Sequence, residues 1–345
     1  MKYAPLGTTG LDISRVGLGA WAIGGGGWQG GWGPQDDRDS VAAIHRALER
    51  GVNWIDTAPA YGFGRAESVV GEAVRGLAVD ERPLLFTKCG LVWAPGEHSL
   101  SNSLAPGSIK RECEASLRRL GVDTIDLLQA HWPTEDGTPL AESWAAMAQL
   151  VDEGKVRYIG LSNFTRGDLA ECERIRHVDT FQPELNLLVR QAAGETLPWW
   201  AEHDTGVIVY SPLRSGLLSG RFSAARVASL PDDDWRSTAD DFNAPRLSTN
   251  LALVERLKPI AQRAGATLAE LSIAWALAWP AVDGAIVGAR NEEQVDGWVA
   301  AADVMLDQHL LDEIAEAIEA TGAGAGPSRP GPIRPGPVRE LERHP

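Results

Sequence analysis

Short apolar runs alternate with amphipathic segments along most of the chain. Eight runs have the length and apolar content of strands that are buried on both faces. In chain order they are residues 16–20, 54–56, 84–88, 125–131, 156–162, 180–182, 207–210 and 284–287. The segments between them show helical periodicity, and several end at a glycine, as at Gly51, Gly121 and Gly154. The pattern therefore predicts eight strand-plus-helix units.

Helical periodicity predicts the remaining elements. The predicted helices cover residues 37–50, 67–75, 108–120, 140–153, 166–176, 195–203, 250–264, 268–279, 292–301 and 307–320. Residues 211–248 are expected to be irregular. Strands that alternate with helices form a parallel sheet, and eight such units favour a closed (β/α)8 TIM barrel. An open doubly wound sheet is the alternative, and it is weaker because no GxGxxG follows the first run.

The end of the chain differs in composition from the rest. Residues 323–345 are rich in proline and glycine, and they follow the last predicted helix. We expect a barrel domain over residues 1–322, which includes that C-terminal helix. Residues 323–345 are expected to form an extended or disordered tail.

The 345-residue chain carries a formal net charge of −15. Nucleic acids and anionic membranes select basic surfaces, so neither is expected as a partner. The three scattered cysteines, Cys89, Cys113 and Cys172, show no CxxC spacing, which fits a reducing compartment and no structural metal. The N-terminus lacks the apolar segment of a secretion signal, so we expect the protein in the cytoplasm.

Polar side chains stand where three consecutive apolar runs end. Asp56 and Tyr61 follow the second run, Lys88 ends the third and His131 ends the fourth. Taken singly, each has an ordinary structural role, such as a turn, core packing or a solvated strand end. In a parallel barrel, however, the carboxyl ends of the strands meet at one mouth, where active sites lie.

Together these four side chains would form a proton-transfer site. A lysine inside a barrel mouth needs an anion nearby, and Asp56 is one strand away. Lys88 is expected to lower the pKa of Tyr61 and make it a proton donor near neutral pH, while His131 hydrogen-bonds a substrate oxygen. Such a site suits carbonyl reduction, in which carbon gains hydride and oxygen gains a proton. No metal-ligating set is apparent.

The motifs DTAPAYGFGRAES, FTKCG and LLQAHWP, in this order, resemble the aldo-keto reductase superfamily, and in particular its bacterial, general-stress type. The likeness covers residues 1–320 and stops at the proline-rich tail. It implies a (β/α)8 barrel, NADPH (NADP+) as the cofactor, and a catalytic tetrad of Asp56, Tyr61, Lys88 and His131.

The resemblance also implies where the cofactor binds, extended over the barrel mouth without a separate nucleotide-binding domain. GLSNF and FQPELN would contact the carboxamide of nicotinamide, VIVYSPL would stack an aromatic ring on nicotinamide, and LRSGLLSG would lie near the pyrophosphate. The residues concerned are Ser162, Asn163, Gln182, Tyr210, Ser211, Pro212, Leu213, Gly216 and Leu218.

A last motif, IVGARNEEQV, follows the eighth run. Gly288 allows close backbone approach, Arg290 offers a planar fork for the 2′-phosphate of NADPH, and Gln294 is expected at the adenosine end. Relatives often carry asparagine three residues further on, where this chain has Gly297. This departure weakens the expectation of NADPH over NADH.

The chain contains 13 tryptophans, and several stand in loops beside the ends of the apolar runs. Loop tryptophans at the barrel mouth are suited to line a substrate pocket. They are Trp21, Trp28, Trp32, Trp93 and Trp132. Others, including Trp54 and Trp298, are expected to pack in the core. The aromatic wall favours an aromatic or apolar carbonyl compound as substrate over a sugar phosphate.

A nucleotide-sensing regulatory subunit that resembles the potassium-channel β-subunits is the alternative function, because such subunits can keep the same four residues. A barrel isomerase or hydrolase is disfavoured, since the chain shows neither a metal set nor a carboxylate pair. The expected partner is a small carbonyl compound. The oligomeric state is left open, because members of the superfamily range from monomers to octamers.

Overall fold

The computed structural model describes residues 1–78, 81–94, 96, 99–134, 136–231 and 234–331. Its strands are β1 (Tyr3–Pro5), β2 (Asp12–Ser14), β3 (Val16–Gly19), β4 (Trp54–Asp56), β5 (Leu84–Cys89), β6 (Leu91–Val92), β7 (Ser101–Asn102), β8 (Ile125–Ala130), β9 (Val156–Ser162), β10 (Thr180–Gln182), β11 (Gly206–Val209) and β12 (Gly284–Gly288). Its helices are α1 (Asp37–Glu49), α2 (Arg65–Val74), α3 (Pro106–Leu120), α4 (Leu140–Asp152), α5 (Arg166–Cys172), α6 (Gln191–Glu195), α7 (Leu197–Ala201), α8 (Ala224–Ala228), α9 (Arg246–Arg263), α10 (Leu268–Leu277), α11 (Glu292–Asp296) and α12 (Gln308–Thr321).

Eight of these strands form a closed parallel barrel. Each pairs with two neighbours in the order β3, β4, β5, β8, β9, β10, β11, β12 and back to β3. Every barrel strand coincides with one of the eight apolar runs, so the predicted (β/α)8 TIM barrel is confirmed. The runs are continuous rather than alternating because helices cover the outside of the barrel, and β4 and β11 are buried at every position. Among the described residues, no helix is both long and apolar enough to cross a membrane.

Several helices differ in length from those predicted. The helix predicted at 195–203 is instead the pair α6 and α7, because Pro198 stands in the first turn of α7 and cannot continue α6. The helix predicted at 166–176 ends at Cys172. The expected irregular stretch at 211–248 contains α8 and the first turn of α9.

A β-hairpin of β1 and β2 precedes the barrel and is absent from the predicted elements. Its strands have only three residues each, too few to show an alternating pattern. Leu6 and Ile13 belong to the same buried cluster as Trp54 in the barrel interior. Gly7 N donates to Asp283 Oδ2 over 3.3 Å, just before β12 begins. The hairpin therefore covers the end of the barrel opposite to the carboxyl ends of the strands.

The first part of the proline-rich tail lies extended against the barrel domain. Ala325 N donates to Leu188 O over 3.0 Å, and Arg190 N donates to Ala325 O over 2.9 Å. The buried guanidinium of Arg190 also donates to the carbonyl oxygens of Ala323 and Gly326, both over 3.2 Å. Residues 323–326 thus satisfy a buried charged group. The rest of the predicted tail, residues 332–345, lies outside the described residues.

A chain that ends at Gly322 should therefore be less stable than a chain that ends at Gly331. The shorter chain removes the two tail carbonyl oxygens that accept from Arg190. The guanidinium would keep Leu187 O as an acceptor. The loss of the two other acceptors should lower the free energy of unfolding by about 1–3 kcal/mol. Urea unfolding followed by tryptophan fluorescence measures the difference. Equal unfolding free energies for the two chains would contradict this role for the tail.

Candidate active site

The four predicted catalytic side chains converge at the carboxyl ends of neighbouring strands. Asp56 ends β4, Lys88 lies near the end of β5, Tyr61 follows β4 in a loop, and His131 comes directly after β8. All four are buried, with at most 9% of each residue exposed. Because β4, β5 and β8 are parallel and adjacent, three strand ends meet at one point of the barrel mouth.

Lys88 and Asp56 form a buried ion pair. Lys88 Nζ lies 2.5 Å from Asp56 Oδ1 and donates to Thr57 O over 3.0 Å. Burial lowers the pKa of Lys88, and the carboxylate of Asp56 opposes that shift. The second oxygen of Asp56 accepts from the side-chain amides of Gln182, over 2.8 Å, and Gln129, over 3.4 Å. The carboxylate is thus held by three donors on three other strands.

The phenol of Tyr61 accepts a hydrogen bond from this lysine. Lys88 Nζ lies 3.3 Å from the phenol oxygen. The pKa of Tyr61 is nevertheless raised well above 10, first by burial and second by the charge of Asp56. The expectation that Lys88 lowers the pKa of Tyr61 is therefore wrong, because Asp56 compensates the lysine charge and the phenol is desolvated. Tyr61 consequently stays protonated throughout the neutral range.

His131 completes the group beside the phenol. The two rings meet edge to face with their centroids 5.8 Å apart. Burial lowers the pKa of His131 well below 6.5, and the nearby charge of Lys88 lowers it further. The imidazole is therefore neutral at neutral pH and carries one N–H donor. Its main-chain oxygen accepts from Asn163 Nδ2 over 3.0 Å, which ties the end of β8 to the end of β9.

Gln129 is a site residue that the sequence reasoning missed. It lies two residues before His131 in β8, so both side chains project from the same face of the strand. Besides its bond to Asp56, its amide oxygen accepts from Gln182 Nε2 over 3.2 Å. The available signal was a glutamine that directly follows two leucines in a strand, since a polar group that becomes buried needs partners.

A cavity of about 760 Å³ opens above the phenol and the imidazole. Most of the predicted cofactor residues line it. They are Ser162, Asn163, Gln182, Tyr210, Ser211, Pro212, Leu213, Gly216, Gly288 and Gln294. Two do not: Leu218 is fully buried behind the wall, and Arg290 lies in an adjoining recess.

The backbone around this cavity contains several residues in the left-handed region. Asn163, Ser211, Arg214 and Ser215 line the cavity and have φ of 67°, 56°, 44° and 54°. Such values are uncommon outside glycine and cost local strain, which folds tend to keep at binding sites. Tyr210 is fixed beside them, because its hydroxyl donates to Asn163 Oδ1 over 2.9 Å.

Arginines that the sequence reasoning did not single out line the cavity near Gly216. They are Arg214, Arg221, Arg226 and Arg236. Arg214 is paired with the carboxylates of Glu184 and Asp241. Arg236 pairs with Asp234, with Nη2 2.6 Å from Oδ2, and its guanidinium lies 4.8 Å from the ring of Trp32. A cavity end with several guanidinium groups is suited to an anionic ligand.

Tryptophans form much of the wall beside the phenol. Four of the five predicted pocket residues line the cavity: Trp21, Trp28, Trp32 and Trp132. Trp93 is not among the lining residues, and its ring packs edge-on against Phe63 with centroids 5.4 Å apart. Trp235 and Trp298 also line the cavity, although Trp298 was expected only to pack.

Trp21 is the tryptophan that stacks on the ring of Tyr61. Its ring stacks on Tyr61 with centroids 5.9 Å apart and on Trp235 with centroids 6.3 Å apart. Its indole N–H donates to Gly30 O over 2.6 Å, so the loop after β3 holds its orientation. One face of the Tyr61 ring is thus covered by an aromatic side chain.

Comparison with known proteins assigns the family. A profile described as "Aldo/keto reductase family" matches residues 15–319. The "NADH-specific methylglyoxal reductase" of Escherichia coli (strain K12) is 37% identical over 333 residues, which cover 92% of this chain and 100% of that protein. The "Probable voltage-gated potassium channel subunit beta" of Arabidopsis thaliana is 31% identical, over 93% of this chain and 97% of that protein. A solved glycerol dehydrogenase from Gluconobacter oxydans superposes with a TM-score of 0.84 at 34% identity, covering 96% of this chain and 98% of that one. This chain therefore belongs to the aldo/keto reductase family.

Proposed function

We propose that this protein reduces the carbonyl group of a small aldehyde or ketone, with a reduced nicotinamide nucleotide as hydride source and Tyr61 as proton donor. The observation that carries the proposal is the position of the Tyr61 hydroxyl, 3.3 Å from a buried ammonium and at the floor of a large cavity. The membership of the aldo/keto reductase family supports an oxidoreductase of carbonyl compounds.

Tyr61 acts as the general acid in this proposal. Its oxygen already accepts from Lys88, so the hydroxyl hydrogen is available to a substrate oxygen. When the proton leaves, the ammonium of Lys88 stabilises the phenolate at close range. Asp56 keeps Lys88 charged and in position through the ion pair described above. The raised pKa of Tyr61 ensures that the acid form is the one that meets the substrate.

His131 orients the carbonyl group. A neutral imidazole beside the phenol offers a second hydrogen bond to the same substrate oxygen, and two donors fix the direction of that oxygen. Asn163 and Tyr210 line the same cavity as Tyr61 and His131. The aromatic side chains around Tyr61 favour an uncharged apolar or aromatic carbonyl compound.

The chemistry of the lining residues fits a nicotinamide nucleotide. Amide side chains at Asn163 and Gln182 match a carboxamide, and the ring of Tyr210 offers a surface for stacking. Arg221 and Arg226 provide positive charge for a diphosphate. When bound, the nicotinamide ring supplies the hydride.

The part of the cavity beside Tyr61 suits NADPH and NADH equally, because the 2′-phosphate that distinguishes them is at the opposite end of the cofactor from nicotinamide. NADPH is the prediction from Arg290, whereas the relative from Escherichia coli is named for NADH.

A regulatory, nucleotide-sensing subunit is the second candidate function, in view of the relative from Arabidopsis thaliana. Reduction is favoured because the relative named as a reductase is the more similar of the two, with 37% identity against 31%.

Tyr61→Phe should lower kcat for carbonyl reduction by about 10²–10⁴-fold, because it removes the proton donor. The dissociation constant for the nucleotide should change by less than about twofold, since the ring and its stacking remain. Steady-state kinetics and fluorescence titration measure the two effects. Tyr158→Phe is a matched control, because it removes a hydroxyl that donates to Thr9 O. Unchanged kcat in Tyr61→Phe would exclude Tyr61 as the acid.

The pH dependence of reduction provides a second test. The pKa of Tyr61 is raised and that of His131 is lowered, so neither group changes its protonation state between about pH 6.5 and 9. With saturating nucleotide, kcat/KM for the carbonyl compound should be flat across that range. Preincubation at each pH, followed by assay at pH 7, controls for unfolding. An alkaline decline with an apparent pKa below about 9 would mean that Tyr61, or Lys88 whose pKa burial lowers, loses its proton in this range. It would contradict the assignment of a protonated phenol beside a charged ammonium.

A further inference from the structure

Glu67 is a buried carboxylate that the proposed mechanism does not use. It stands in the first turn of α2, shortly after Tyr61, and no part of it is exposed. A charged side chain in the interior is stable only when it is paired and hydrogen-bonded. The partners of Glu67 come from β5 and α3, so its carboxylate joins three elements at one point.

Both carboxylate oxygens of Glu67 accept a hydrogen bond. Thr87 Oγ1 donates to Oε1 over 2.6 Å, and Arg119 Nε donates to Oε2 over 2.6 Å. Gly64 leaves room for the arginine, because a Cβ at Gly64 would lie 2.7 Å from Arg119 Cδ. Thr87 is fully buried, whereas Arg119 keeps part of its side chain in solvent. The buried carboxylate is thus satisfied by a neutral donor on β5 and a charged donor on α3.

The hydrogen bond between Thr87 and Glu67 links two side chains of the candidate site. Thr87 directly precedes Lys88 in β5, so its hydroxyl points out of the barrel towards α2 while the Lys88 ammonium points into the mouth. Ala66, the residue before Glu67, donates its N–H to Tyr61 O over 3.2 Å. The bond therefore holds the strand that carries Lys88 against the turn that carries Tyr61.

The charge of Glu67 also acts on Lys88. Burial lowers the pKa of Lys88, the charge of Asp56 opposes that shift, and the charge of Glu67 opposes it further. Tyr61 and His131 also lie close to the ammonium, and both are uncharged at neutral pH. One carboxylate thus bonds the ammonium directly, and a second supports it from the outer side of the barrel.

We propose that Glu67 is a positioning residue for the acid Tyr61. It fixes Lys88 against the phenol by joining the end of β5 to the start of α2, and its negative charge stabilises the ammonium. This inference rests on the proposed function, in which Lys88 stabilises the phenolate. Loss of the link should slow proton donation and leave nucleotide binding unchanged, because Glu67 and Thr87 are buried behind the wall of the cavity.

Glu67→Gln tests the role of the charge, since the amide keeps an acceptor for Thr87. The pKa of Lys88 should be lower than in the wild-type protein, because a neighbouring anion is removed. Carbon NMR of isotopically labelled lysine side chains in the nucleotide-free protein measures this pKa. The chain has five lysines, so arginine substitution of the four others assigns the Lys88 signal by exclusion.

Asp126→Asn is the matched control for the loss of charge. Asp126 accepts from Leu85 N over 2.9 Å and pairs with Arg157, so it also braces β5, but at the end remote from Lys88. The pKa of Lys88 should be the same in this control as in the wild-type protein. An unchanged pKa in Glu67→Gln, or an equal fall in the control, would overturn the electrostatic role of Glu67.

Thr87→Val and Thr87→Ser test the positional link while the ion pair between Glu67 and Arg119 stays in place. Valine matches threonine in shape and lacks the hydroxyl, whereas serine keeps it. In the reduction of para-nitrobenzaldehyde with NADH or NADPH, kcat should fall by about three- to tenfold in Thr87→Val and by less than about twofold in Thr87→Ser. The dissociation constant for the nucleotide should change by less than about twofold in both variants.

The outcomes separate this inference from the proposed function. An unchanged kcat in Thr87→Val, or equal losses in Thr87→Ser, would overturn the positional link and leave the proposed function intact. A parallel loss of nucleotide affinity would indicate general disruption of the barrel mouth and would also overturn it. The absence of nucleotide-dependent reduction by the wild-type protein would overturn the proposed function and, with it, the inference. The Thr87 variants remain informative even where loss of the ion pair to Arg119 unfolds Glu67→Gln.

Discussion

The buried ion pair between Lys88 and Asp56 is the interaction on which the rest of the candidate active site depends. Two charges removed from water are stable only when each is fully paired, and here the pairing joins adjacent strands of a closed barrel. Asp56 needs Gln182 and Gln129 to satisfy its second oxygen, and Lys88 needs Thr57 O and the phenol of Tyr61. The positions of the proposed acid and of two buried amides therefore follow from the requirement to satisfy one pair of charges.

Closure of the barrel was predictable because each strand is an apolar run buried on both faces, as at β4 and β11. Convergence of the four polar side chains followed from the rule that parallel strands end at the same mouth. The pKa of Tyr61 did not follow, because pairwise reasoning considered Lys88 and left out the compensating charge of Asp56 and the desolvation of the ring. The combined effect of the Lys88 charge, the Asp56 charge and burial on the pKa of Tyr61 can be judged only from the positions of these groups in the structure.

Long-range side-chain contacts were likewise beyond the sequence. Arg290 contacts Gln35 across 255 positions of the chain, and no periodicity relates the two. The hairpin of β1 and β2 escaped prediction because its strands are so short. Trp93 was placed in the pocket by its position after a strand end, but loop geometry directs its ring to Phe63 instead. Backbone patterns thus specify where strands end, and tertiary packing decides where loop side chains point.

The N-terminal hairpin bears on how Tyr61 exchanges protons with solvent. Apolar side chains such as Leu6 and Ile13 fill the hairpin end of the barrel, whereas Tyr61 and His131 line the cavity that opens at the other end. That opening is the one the proposed carbonyl compound and its alcohol would occupy. If Tyr61 gives up its hydrogen during turnover, resupply from solvent is coupled to departure of the alcohol. A slower step in heavy water, seen at release rather than at hydride transfer, would be the signature of that coupling.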